Sequence, residues 1–163
     1  MRKRVPIAVT VLALALGVAW VALRVPPAPE ARFATLAGKS VSLADLRGKV
    51  VLVDFWAIDC EICLDEMPSL AENYRRFAPR GYEVVAVALA SSHPNLVADF
   101  AQRRALPFPV ALDLDGTVAQ AFGDVQVTPT LVLLDRQGRV LKEWRGRTDW
   151  RELSATIEKA LAS

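Results

Sequence analysis

Metal-binding and crosslinking side chains are scarce in this chain: 163 residues hold two cysteines, Cys60 and Cys63, and one histidine, His93. A closed structural zinc site needs four ligands, and these three residues cannot build one of the usual Cys/His kind. A staple is a poor use of the thiols as well. A Cys60–Cys63 disulfide closes a loop of only four residues, which removes little entropy from the unfolded chain. Basic surface is also missing. The formal net charge is +2, but residues 1–24 hold four basic residues and no acidic one. That leaves 16 basic against 18 acidic over residues 25–163, with no basic run, which argues against nucleic acid as a partner. No internal repeat is visible.

One long apolar run is present. Val5 to Leu23 are apolar apart from Pro6 and Thr10, 19 residues against the ~20 that span a bilayer. Arg2, Lys3 and Arg4 precede it, so a cleaved secretory signal has to be weighed. Bulky Trp20, Leu23 and Arg24 stand where small residues would mark cleavage, which favours an uncleaved anchor over residues 1–24. The positive-inside bias holds the N-terminus in the cytoplasm, with Trp20 near the outer interface. Residues 25–31 are a Pro-rich tether expected to be extended and stiff. Residues 32–163 are then one domain outside the cytoplasmic (inner) membrane, periplasmic or extracytoplasmic, under either reading.

That domain alternates strand and helix patterns. Phe33–Leu36 and Val41–Leu43 flank AGKS as a small hairpin. Val50 to Trp56 is apolar except for Asp54, the pattern of a strand buried on both faces, and Tyr82 to Ala90 reads alike. From Cys60 to about Phe77 the spacing of Leu64, Met67, Leu70, Ala71 and Tyr74 is helical. Further elements are a helix over 94–104, a short strand at 110–112, a short helix at 117–122, strands at 130–134 and 140–144 joined by DRQG, and a closing helix over 149–161 capped by Thr148. The sum is an α/β sandwich around a mixed sheet.

The thiols therefore sit at the start of a helix, directly after a buried strand. Free N–H groups and the helix dipole there stabilise a thiolate on Cys60. Cys63, one turn on, is placed to attack a mixed disulfide formed at Cys60. A redox dithiol fits this context better than a metal site, although copper, which needs fewer ligands, stays open.

The stretch VLVDFWAxxCxxC resembles the thioredoxin superfamily motif. The longer run GKVVLVDFWAIDCEICLDEMPSL, Gly48 to Leu70, resembles the membrane-anchored, thioredoxin-like thiol-disulfide oxidoreductases of the TlpA/ResA type. Downstream, VTPTLVLLDRQGRVLKEWRG, Val127 to Gly146, is similar to that family's Pro-containing strand and hairpin, and FPVALDLDGTVAQAFG to its extra β/α unit. The resemblance covers residues 33–161 and implies a thioredoxin-like three-layer sandwich with helices on both faces, preceded by one transmembrane helix. It implies Cys60 as exposed nucleophile and Cys63 as buried resolving thiol, joined as a redox-active disulfide. Pro129 corresponds to the family's cis-proline, and Thr128 offers backbone pairing to substrate. Asp54 matches the buried acid; a carboxyl in an apolar strand has a raised pKa and can relay a proton to Cys63. Failing that role, Asp54 is a buried polar group satisfied by a hydrogen bond. Trp56 packs either beside the site or in the core. No cofactor beyond the cysteines is implied. The implied partners are a disulfide-containing substrate protein and a membrane dithiol electron donor.

The departures are informative. Asp59 replaces the usual Trp before the first cysteine, and Ile62 replaces Pro after Glu61. Glu61 is a feature of the cytochrome c maturation branch, but Ser91 stands where that branch carries a glutamate. His93 is assigned no role, being a surface or capping residue by type. The acids Asp59, Glu61, Asp65 and Glu66 disfavour the Cys60 thiolate, so the disulfide is expected to be a weak oxidant and the protein a reductase. For Asp65 and Glu66 the competing reading is a solvated helix face. A rival function is a copper chaperone using Cys60, Cys63 and His93, which the two-residue spacing disfavours. A peroxidase lacks its threonine, since Ala57 stands in that place.

Overall fold

A computed structural model describes residues 27–163. The expected anchor, with Trp20, Arg24 and residues 5–23, lies outside the described residues. Among the described residues no helix is long and apolar enough to cross a membrane.

The sheet grows from its centre. β3 (Val50–Trp56) is buried at all seven positions, as its unbroken apolar run requires. Each large apolar side chain buried there contributes roughly 1.5–3 kcal/mol. β4 (Tyr82–Ala88) and β5 (Val110–Leu112) lie parallel to it on one side; on the other, β6 (Thr130–Leu134) pairs antiparallel with β3, and β7 (Val140–Arg145) antiparallel with β6. The order is β5-β4-β3-β6-β7. β1 (Arg32–Ala34) and β2 (Ser40–Ser42) form the expected hairpin, and Thr35 bridges Ala111 at the sheet edge.

Among the described residues four α-helices complete the fold: α1 (Glu61–Phe77), α2 (Pro94–Arg103), α3 (Thr117–Ala121) and α4 (Trp150–Leu161). Both faces are covered, but unequally. α1, α2 and α4 pack on the face carrying Leu52, Trp56, Val84 and Leu133. Two successive crossovers stepping the same way along a parallel sheet put α1 and α2 on one side. The opposite face, with Val51, Val53, Phe55 and Val132, is covered by Phe33 of the hairpin, Leu43, Leu46 and short α3.

Element boundaries agree with the sequence patterns to within two residues, with one correction. The cap of α4 is Asp149, whose carboxylate accepts from the N–H groups of Arg151 (3.0 Å) and Glu152 (3.1 Å). Thr148 does not cap; it turns inward to α1. The tether is not a free spacer at its far end: Ala28 N–H donates to the Gly138 carbonyl (2.9 Å), and Pro27 bridges Arg139.

Candidate active site

β3 ends at Trp56, and Ala57 to Asp59 turn the chain into α1. Cys60 is the N-cap of α1 in an extended conformation, and its sulfur accepts from Cys63 N–H (3.2 Å). Cys60 and Cys63 are disulfide-bonded, with Cα atoms 5.2 Å apart. Cys60 is half-buried and Cys63 only 3% exposed, so an incoming sulfur has access to the first and not the second. Asp59 and Glu61, on either side of Cys60, are both exposed.

Behind the disulfide is a small cavity of about 10 Å³. That is about the least volume that holds one water. Asp54, Cys63, Glu66, Pro129, Leu131 and Trp150 are among its lining residues. Asp54 comes from the middle of β3, paired with Ala86 and Leu131. It is 4% exposed, and burial pushes its carboxyl up to about 7, with the negative charge of Glu66 adding to the rise. Tyr82, fully buried on the same face of the sheet, has its hydroxyl raised well above 10 by burial and by Asp54. The Thr128–Pro129 bond is cis, at the start of β6, and Thr128 is half-buried beside exposed Val127.

The structure places two further residues of the sequence reading. Glu66 is not on a solvated face: it is 8% exposed, and its two oxygens accept from Thr148 N–H and Thr148 Oγ1, both at 2.8 Å. Its spacing of three from Cys63 and four from Leu70 places it on the buried stripe of α1. Asp65 is exposed, as a solvated residue should be. Trp56 belongs to the core: it is fully buried, tilted against Phe100 at 5.6 Å, and absent from the cavity lining.

The loop after β4 supplies a contact that the sequence did not reveal. Buried Ser92 accepts through Oγ from Ile58 N–H (3.1 Å), fixing the turn that presents Cys60. Its neighbours Ser91 and His93 are exposed, and the His93 side chain makes no capping bond to α2. Among the described residues no group of three His, Cys, Asp or Glu side chains is placed to hold a metal ion.

A half-exposed sulfur at a helix N-terminus, a buried partner sulfur and a buried acid of raised pKa together make a thiol-exchange centre. The sequence profile of the AhpC/TSA family matches residues 26–143. The chain belongs to that family. It is similar to the thiol-disulfide oxidoreductase ResA of Bacillus thuringiensis, 33% identical over 132 residues, covering 81% of this chain and 75% of the relative. Among solved structures, a Neisseria meningitidis protein assigned as a thioredoxin superposes with a TM-score of 0.78, at 37% identity over 85% of this chain and 92% of its own. A Chlorobium tepidum protein assigned as the thiol:disulfide interchange protein DsbE gives 0.77, at 32% identity over 84% and 96%. This AhpC/TSA-family protein is thus a thioredoxin-fold thiol-disulfide oxidoreductase.

Proposed function

We propose that the protein is a reductase of disulfides in client proteins outside the cytoplasmic membrane, held there by residues 5–23 with its N-terminus in the cytoplasm. The observation that carries the direction is the exposed acid on both sides of Cys60. Asp59 and Glu61 oppose the stabilisation that the α1 N-terminus gives a thiolate. A less stabilised dithiol form means a less oxidising disulfide.

In the proposed cycle the Cys60 thiolate attacks a client disulfide. One client sulfur leaves as thiolate and a mixed disulfide forms at Cys60. Cys63 gives its proton to ionised Asp54, across the cavity both residues line, and attacks the Cys60 sulfur. The second client thiolate leaves, so the client gains two electrons and the Cys60–Cys63 disulfide forms. A pKa of about 7 lets Asp54 take up and release that proton near neutral pH. Thr128, beside Pro129, offers its backbone to the client chain. A membrane dithiol donor then returns the pair to the reduced state.

Cys63→Ser tests the cycle. With the resolving thiol gone, mixed disulfides at Cys60 should accumulate and be released by dithiothreitol, and Cys60→Ser should trap nothing. A Cys63→Ser chain with reactive Cys60 that captures no cell-envelope protein would refute the exchange role.

A further inference from the structure

The thiol centre occupies one pole of the domain, and the chain enters at the other. β3 and β6 are antiparallel, with Phe55 opposite Thr130 and Val51 opposite Leu134. Cys60 and Pro129 therefore lie at the end of β3, and the β6–β7 turn lies at its start. Seven strand residues separate the two poles by roughly 20 Å. Ala28 is bonded to Gly138 in that turn, and Pro27 to Arg139. From Arg24 to Pro27 there are three residues, which reach at most about 10 Å.

The two poles differ in charge. At the entry pole, Arg47, Arg75, Arg80 and Lys159 are exposed and form no ion pair among the described residues. Arg136 is spent on carbonyl oxygens, of Gly48 at 2.6 Å and Leu161 at 3.2 Å, and keeps its charge there. Lys49–Glu83, Arg76–Glu158 and Arg139–Asp135 are neutral pairs. Glu30 and Asp45 with Arg32, beside the entering chain, add one net negative charge against these five cations. At the thiol pole, by contrast, Asp59, Glu61, Asp65, Asp124 and Asp149 are exposed against exposed Arg147 and Arg151, which leaves that pole net negative. Helix C-termini favour basic residues, which accounts for those at the ends of α1 and α4. It accounts neither for Arg47 nor for the tether landing on the same pole.

We propose that the domain stands with this basic pole on the anionic lipid surface that holds its own anchor, so that the Cys60–Cys63 pair faces away from the membrane. The inference rests on residues 5–23 being a membrane anchor. Basic clusters beside a membrane anchor are drawn to anionic headgroups, and salt weakens the attraction. The consequence concerns the electron donor: its dithiol must be carried on an extracytoplasmic segment reaching roughly 20 Å above the lipid, about the length of the strand between the poles.

Energy transfer in vesicles tests this with the full chain. A donor fluorophore is attached either to Cys60 in Cys63→Ser, or to position 137 in Cys60→Ser/Cys63→Ser/Gln137→Cys. Headgroup-labelled acceptors are placed in vesicles of phosphatidylcholine with phosphatidylglycerol. With poles separated by a strand length, transfer from position 137 should exceed that from Cys60 by about twofold or more. The excess should shrink in pure phosphatidylcholine and in Arg75→Glu/Arg80→Glu/Lys159→Glu. Equal transfer from the two sites, or a ratio indifferent to lipid charge, overturns the proposal. A chain that fails to float with the vesicles overturns the anchor and this orientation together, and flotation distinguishes that failure from the other.

Discussion

Replacing Asp54 with Asn removes the ionisable group from β3 at nearly constant volume. Asp54 is 4% exposed, and its carboxyl is raised from 3.8 to about 7, first by burial and then by the Glu66 charge. Below pH 3.8 the group is protonated in folded and unfolded chains alike and has no effect on stability. Between 3.8 and 7 the unfolded chain has released its proton while the folded chain keeps it, so stability falls by about 1.4 kcal/mol per pH unit. Above 7 the full cost is reached, on the order of 4 kcal/mol. Asn cannot ionise, so this dependence should vanish. Its amide, buried without a partner, costs about 1–3 kcal/mol, but at every pH alike. Urea denaturation of the oxidised protein at pH 5 and pH 8 separates the two effects. From the 7 and the slope above, the stability of Asp54→Asn relative to wild type should rise by about 3 kcal/mol between those pH values. Equal differences at the two pH values would refute a buried, raised carboxyl at this position.

Glu66→Gln should lower the midpoint at which Asp54 titrates, because it removes the negative charge facing that carboxyl; carboxyl-carbon NMR reads this directly, and an unchanged midpoint would contradict it. Ser92→Ala should cost about 1 kcal/mol in urea denaturation, since the Ile58 N–H loses its acceptor, and unaltered stability would show that the bond does not hold the Cys60 turn.

Much of this arrangement was legible in the sequence because single strong signals carried it. An apolar run interrupted once gave β3 and marked Asp54 as buried, and the same run placed the Cys-x-x-Cys at a helix N-terminus. Pairings between distant segments were not legible. Glu66 looked like part of an acidic rim because its partner, Thr148, lies 82 positions away. Thr148 in turn looked like a cap because the residue next to it is one. The helical spacing from Cys63 held the signal for Glu66, since a residue three positions along the same stripe shares its burial. Ser92 had no such signal; its role depends on where the loop after β4 meets the turn after β3.

The direction of electron flow is best tested by the reduction potential of the Cys60–Cys63 pair, read by equilibrating the protein in dithiothreitol or glutathione buffers. With Asp59 and Glu61 exposed beside Cys60, the account predicts a value near or below that of thioredoxin, about −270 mV. A value near about −120 mV, that of the strongly oxidising class, would contradict it and make the protein a donor of disulfides.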